Sequence, residues 1–322
     1  MFLSIPLPMI RCAAIYWDSN PEVFRIPVLD WPILWYGVFF ALSFAIGFPL
    51  FVGILTRFWG QKHRAKAIHI TDKLTIYMIL ATIIGARLGH FIFYERPEKY
   101  FSNPLVLLQV WGGGLASHGG AIGIIVGLLL FSYRMRKNAP DLYYAWPETW
   151  NMNRLALVDS GELSCSSKLQ YQAVRGITWI RLLDFIAVPA ALGGGFIRIG
   201  NFINQEILGL PTNRPWGVVF GHPADHSFPI PRHPVVLYEA MVYFLIFFLL
   251  WKMSFKKENL AREGKLIGLF LILVFGARFL IEYLKTEQSA LGSFSYLTMG
   301  QMLSIPAILA GVFFYRIRYF RT

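Results

Sequence analysis

The sequence predicts an all-α polytopic membrane protein with about seven transmembrane helices and a small extracytoplasmic head, built as a single integral membrane domain over residues 1–322. Three observations predict it. The chain is 56% hydrophobic, with mean hydropathy +0.50. Only 15% of its residues are charged, whereas soluble domains carry about 25%. Its apolar residues gather in stretches long enough, or nearly so, to cross about 30 Å of hydrocarbon as helices.

Those stretches lie near 33–56, 74–95, 118–133, 182–202, 235–252, 266–284 and 299–316. The third is short and opens on glycines. The fourth is interrupted by Gly193–Gly195, which membrane helices tolerate and which lets neighbours approach closely. Residues 203–234, rich in Pro, Asn and His, are expected to form the head. Residues 134–180 form a long polar connection on the cytoplasmic side. No internal repeat of the kind that marks many transporters is visible. The start of the chain lacks a basic region and its apolar run is broken by prolines, so no cleavable signal peptide is expected.

Charge placement sets the orientation. Of the 30 Lys and Arg residues, 20 fall on one side of this arrangement and 7 on the other. That bias puts the N-terminus outside and the C-terminus in the cytoplasm. It also explains most of the net charge of +12, so nucleic-acid binding is not needed. Three basic residues remain inside predicted spans: Arg87, Arg198 and Arg278. A charge at membrane depth is costly and usually functional.

Helix rise places these arginines in the outer half of the membrane: Arg198 roughly 24 Å, Arg87 roughly 20 Å and Arg278 roughly 18 Å from the cytoplasmic starts of their spans. Tyr36 and His118 sit near the outer starts of spans one and three. Arginine presents a planar fork that matches phosphate oxygens. Arg198 and Asn201 are three apart, on one helix face, and Arg278 and Glu282 are four apart, so the glutamate can orient or neutralise the arginine. Arg198 has no acid at helical spacing in its own span. Two arginines aimed at one buried point fit the phosphodiester of a lipid headgroup. Each also has a plainer reading, as a structural ion pair, and "GARLGH" around Arg87 reads equally well as packing. In "SHGGAIG" the glycines clear space for a ligand or another backbone, beside a histidine suited to accept a proton. His222, Asp225 and His226 in "GHPADH" lack the context of a metal site and read as a solvated loop. Cys12 and Cys165 imply neither a disulfide framework nor zinc.

Several of these stretches are familiar together. "WYG" (35–37), "GARLGHFIFY" (85–94), "HGGAIG" (118–123), "RIGNFINQEILG" (198–209), "RHPVVLYEA" (232–240), "RFLIE" (278–282) and "MGQMLSIP" (299–306) resemble the prolipoprotein diacylglyceryl transferase family, in order, from about residue 31 to 318. The resemblance implies transfer of the sn-1,2-diacylglyceryl group of phosphatidylglycerol to the lipobox cysteine of a prolipoprotein signal peptide, at the bacterial cytoplasmic (inner) membrane, without metal or organic cofactor. It places Arg198, Asn201, Glu206 and Gly209 on the family signature, Arg278 and Glu282 on its second arginine region, and Tyr36 and His118 on its tyrosine and histidine positions. Phosphatidylglycerol would then be held by Arg198, Asn201, Arg278, Glu206, Gly209, Glu282 and Arg87. His118 or Tyr36 would take the thiol proton and the arginines would stabilise the departing phosphate. The nucleophile belongs to the substrate, so Cys12 and Cys165 are expected to be dispensable. Two positions depart from the family pattern: Ile197 stands where glycine usually precedes the signature arginine, and Val274 where a tyrosine is often found. Residues 138–178 look like an insertion. An anion transporter or channel, and a non-catalytic phospholipid-binding scaffold, are the competing classes. The outward bias of the three arginines argues against a continuous path.

Overall fold

In a computed structural model the described residues are 14–27, 30–94, 116–138, 178–286 and 297–316. Cys12, Cys165 and most of the 134–180 connection lie outside them. Eight helices and five short strands occur among the described residues: β1 (Ile15–Trp17), β2 (Glu22–Ile26), β3 (Trp31–Leu34), α1 (Trp35–Trp59), α2 (Arg64–Tyr94), α3 (Ser117–Asn138), α4 (Trp179–Ile203), β4 (Val218–Phe220), β5 (Pro231–Arg232), α5 (Val235–Met253), α6 (Lys257–Ala261), α7 (Lys265–Ile281) and α8 (Met299–Arg316). Short 3-10 turns precede α2 and follow α7.

Each of the seven expected spans coincides with a helix. Five of these helical stretches are long and apolar enough to cross a membrane: Trp35–Trp59, Gln61–Ile92, Trp179–Ile203, Val235–Met253 and Lys265–Leu284. The expectation of an all-α protein needs correcting, because strands are present. The second helix also begins ten residues before the expected span, at Arg64. Arg64, Lys66 and Lys73, expected in a loop, therefore occupy its first turns.

The chain divides into two compact units. The first comprises Met1–Gly47, Ala187–Met253 and Lys265–Thr322. Here β-branched and aromatic residues favour short strands. β1 pairs in parallel with β4, Ile15 opposite Val218, and β4 pairs antiparallel with β5. β2 and β3 form an antiparallel hairpin. Phe202, Leu208, Val218, Phe220 and Val236 make a buried cluster, and Trp17 closes it with its ring 4.7 Å from that of Phe202. Pro234 just precedes α5 and accepts the N–H of Leu237 on its carbonyl. Proline suits a helix start, because no partner exists there for its missing N–H. Residues 208–210 and 284–286 bond to each other: Leu210 N–H donates to Leu284 C=O at 2.7 Å and Thr286 N–H to Leu208 C=O at 3.0 Å. This bridge sets Gly209 opposite Lys285.

The second unit comprises Phe48–Ile186 and Ser254–Gly264. Arg181, expected among the cytoplasmic loop cations, is instead buried here. It pairs with Glu263 at 3.1 Å and lies over the Phe58 ring at 4.8 Å. Asp184 accepts the N–H of Gly264 at 2.7 Å.

Helices α2 and α3 meet through glycine. A methyl group on Gly89 would lie 2.6 Å from Gly119 Cα, and one on Gly85 would lie 2.7 Å from Gly123 Cα. Such spacing lets membrane helices touch backbone to backbone. The space cleared by the glycines of "GARLGH" and "SHGGAIG" is thus occupied by the opposing backbone. Gly119→Leu is expected to separate the pair at a cost of about 1–3 kcal/mol or more. A detergent melting curve indistinguishable from that of the unaltered protein would contradict this packing.

Candidate functional site

The first unit gathers most of the expected site residues. Arg198 is on the last turns of α4, and its Nη1 donates to Asn201 Oδ1 at 3.3 Å. Asn201 Nδ2 in turn donates to Glu206 Oε2 at 2.8 Å, and Asn204 Nδ2 to Glu206 Oε1 at 3.1 Å. Two carboxamides therefore hold both oxygens of Glu206. The backbone on either side is left-handed, at φ 54° for Gln205 and 57° for Ile207. That region is strongly disfavoured for a β-branched residue. Strain of this kind persists only where surrounding contacts enforce it. Here the enforcing contacts are the Asn204 and Asn201 bonds on one side and the apolar cluster against Ile207 on the other. Tyr36, on the first turn of α1, lies within electrostatic range of Arg198 and Glu206. Gly200 accommodates its ring, since a methyl group there would meet Tyr36 Cδ2 at 2.9 Å.

The charge pairing differs from the expected one in two places. Arg198 does have an acid, on another helix: its Nε lies 2.8 Å from Glu239 Oε2, and Glu239 is completely buried. That oxygen has no hydrogen bond of good geometry, so the contact is an ion pair without alignment. The other oxygen of Glu239 accepts Lys285 Nζ at 2.7 Å. Glu282 pairs with Lys285 at 3.1 Å, not with Arg278. The physical reason is that α7 ends at Ile281 and tightens into a 3-10 turn over Glu282–Leu284. The i, i+4 geometry expected between Arg278 and Glu282 is lost there, and Lys285 at i+3 receives the carboxylate. Arg278 is left half-buried with no hydrogen bond or ion pair among the described residues. The buried phenol of Tyr243 is hydrogen-bonded to Arg198 and lies within electrostatic range of Arg278.

Three participants were therefore missed in the sequence: Glu239, Tyr243 and Lys285. Glu239 and Tyr243 stand four apart on α5, on one face. An acid near the end of "RHPVVLYEA", inside a predicted span, was the available signal. Lys285 was assigned to a loop, but its side chain is only 7% exposed.

Gly209 packs against the carbonyl and Cβ of His233, too closely for any side chain. Gly300, at the start of α8, faces the Glu282 carboxylate in the same way. Gly300→Ala is expected to push Glu282 off Lys285, lowering the melting temperature by an amount corresponding to about 1–3 kcal/mol. An unchanged melt with full activity would show that the carboxylate has room to spare.

Arg87 and His118 belong to the second unit. Arg87 is buried on α2, its guanidinium 4.7 Å from the Phe91 ring centre. His118 stands at the second position of α3. In the 203–234 connection, His222 Nδ1 lies 2.6 Å from Asp18 Oδ1. This contact holds the Asp18 carboxyl below the usual carboxylate range. Asp225 accepts the N–H of Ser227. No group of three His, Cys, Asp or Glu side chains able to hold a metal occurs among the described residues.

The chain matches the family described as "Prolipoprotein diacylglyceryl transferase" over residues 21–144 and 165–317. The chain belongs to the prolipoprotein diacylglyceryl transferase family. Its relatives include proteins named phosphatidylglycerol–prolipoprotein diacylglyceryl transferase. One from Chloroherpeton thalassium is 39% identical, across 92% of this chain and 92% of the relative. One from Tolumonas auensis is 38% identical across 92% and 95%, and one from Protochlamydia amoebophila is 30% identical across 93% and 94%. The family match skips 145–164, within the polar connection that looked like an insertion. The network of Arg198, Glu239, Lys285 and Glu282, with Arg278 beside it, lies inside the matched residues.

Proposed function

We propose that the protein transfers the sn-1,2-diacylglyceryl group of phosphatidylglycerol to the lipobox cysteine thiol of prolipoproteins, forming a thioether and releasing glycerol-1-phosphate. The observation that carries this reading is the combination of Arg278, which has no ion pair among the described residues, with Arg198, whose acid is already shared with a lysine. In the reaction the thiolate sulfur bonds to glyceryl C3, the C3–O bond breaks, and its electron pair stays on the phosphate oxygen. A phosphodiester of charge −1 thereby becomes a phosphate monoester that gains a second negative charge.

The cations suit that change. Arg278 can receive the phosphodiester with no ion pair to displace among the described residues. Arg198 can turn its fork to the developing charge, because Glu239 stays neutralised by Lys285 when Arg198 leaves it. Donors aimed at charge that develops during reaction supply the largest catalytic effects. Tyr243, bonded to Arg198 and within electrostatic range of Arg278, can donate to the same phosphate. Asn201, Glu206 and Glu282 hold these groups in place, and Gly209 keeps the segment bearing them close to His233. His118 and Tyr36 are the proposed proton acceptors. Tyr36 lies beside Arg198 and Glu206, and His118 enters through its motif alone. Arg87 is proposed to assist lipid binding.

The same proposal includes seven membrane spans, an outer N-terminus, a cytoplasmic C-terminus, an extracytoplasmic head at 203–234 and an inserted cytoplasmic connection. Helices α3 and α8, at the positions of spans three and seven, and the 20-to-7 charge bias support it. The test uses purified protein in micelles with phosphatidylglycerol and a lipobox peptide. Lipidated peptide and glycerol phosphate are expected together. Neither product, with an active family member working alongside, would overturn the reading.

A further inference from the structure

A polar cavity of about 380 Å³ opens in the first unit, beside the Glu206 clamp and separate from the arginines. Its walls are Asp18, Ser19 and Asn20 from the β1–β2 link, Asn204 and Gln205 from the turn after α4, and His222 from the turn after β4. The walls are braced before any ligand arrives. Ser19 Oγ donates to Ile203 C=O at 2.9 Å, His222 N–H donates to Gln205 Oε1 at 2.7 Å, and His222 is paired with Asp18.

We propose that this cavity receives the polypeptide substrate through its main chain, at the residues that follow the reactive cysteine. The inference rests on the transferase reading above. Several bonding groups stay uncommitted among the described residues. Asn20 uses only its Oδ1, to accept the Glu22 N–H, so its Nδ2 remains a donor. His222 uses Nδ1, so Nε2 is available. Ser19 Oγ and the second Asp18 oxygen remain acceptors. Donors and acceptors in alternation are what an extended main chain requires.

The other parts of the reactants fit badly. Only Pro21 and Ile203 are apolar in the lining, which does not suit an acyl chain. The only cationic candidate, His222, is already matched by Asp18, which does not suit a phosphate. Position agrees as well. Asn204 forms part of the cavity wall and also clamps Glu206, so a chain lying here is linked through that clamp to Asn201 and Arg198.

The test uses the full chain in detergent and a lipobox peptide whose cysteine is replaced by serine, so that it binds without reacting. A benzophenone side chain two residues after that serine is expected to cross-link to the segments containing Asn20 and His222. A peptide ending at the serine is expected to bind about tenfold more weakly than one with five further residues. Asn20→Trp, which fills the cavity, should remove that difference, and so should His222→Ala at an 82% exposed position should the first variant fold poorly. Equal affinity of the long and short peptides for the unaltered protein, or cross-links that avoid both segments, would overturn the proposal. The cysteine peptide with phosphatidylglycerol separates the two readings. Cross-linking in the cavity without lipidated product sinks the transferase reading alone, and product with equal KM for long and short peptides sinks the docking proposal alone.

Discussion

Glu239→Gln is expected to abolish measurable transfer and to lower the melting temperature substantially. Glu239 is fully buried and balances two cations, Arg198 at 2.8 Å and Lys285 at 2.7 Å. Removing one partner of a buried ionic group leaves uncompensated charge, which costs about 3–5 kcal/mol. The loss here falls on two cations at once, and only Lys285 retains another acid, Glu282. The companion experiment is the double variant Glu239→Gln with Lys285→Met. It also removes the lysine that Glu282 uses, so a second ionic group loses its partner and stability should fall further. It should not recover activity, since Arg198 would still lack its anchor. Thermal melts of both variants beside the transfer assay check this. A double variant more stable than Glu239→Gln alone would show that Lys285 does not neutralise Glu282.

Arg278→Ala is expected to behave in the opposite way. Arg278 has no hydrogen bond or ion pair among the described residues, so its removal breaks none there and relieves the burial of a charge. The melting temperature should stay unchanged or rise. Transfer should fall by about 100- to 1000-fold, the usual loss when one donor to developing charge is deleted. Arg198→Ala should differ by losing stability as well, because it removes one of the two cations that balance the buried Glu239. Comparing the two variants by kcat and melting temperature separates a substrate-facing arginine from one that also supports the fold. A marked stability loss in Arg278→Ala would mean that it has a structural partner after all.

The sequence carried the helices well and their partners poorly. α8 spans 299–316, the stretch marked by hydropathy alone. α2 starts earlier than hydropathy indicates because its first turns, Arg64–Lys73, are polar yet helical. Hydropathy reports contact with lipid, and a helix can extend past it. The small sheet was not legible: β1 joins β4 across some two hundred residues, and strands of two to five residues leave little periodicity. The residue types of the candidate site were visible, since arginine inside an apolar run is conspicuous. The pairing was not. Helical spacing finds neighbours three or four positions away, and it suggested Glu282 for Arg278. The acid beside Arg198 is 41 positions later, on α5, where only tertiary packing brings it close. Glu282 was diverted because its helix ends one residue before it.

The seam between α2 and α3 restricts how this chain can diverge. Gly85, Gly89, Gly119 and Gly123 meet main chain, not side chain, on the opposite helix. A contact between side chains can drift, one residue growing as its neighbour shrinks. A contact between two backbones offers no such compensation, because glycine cannot become smaller. Adaptation to a thicker bilayer, a colder habitat or a different lipid must therefore be found on the outward faces of these helices, while the seam stays as it is.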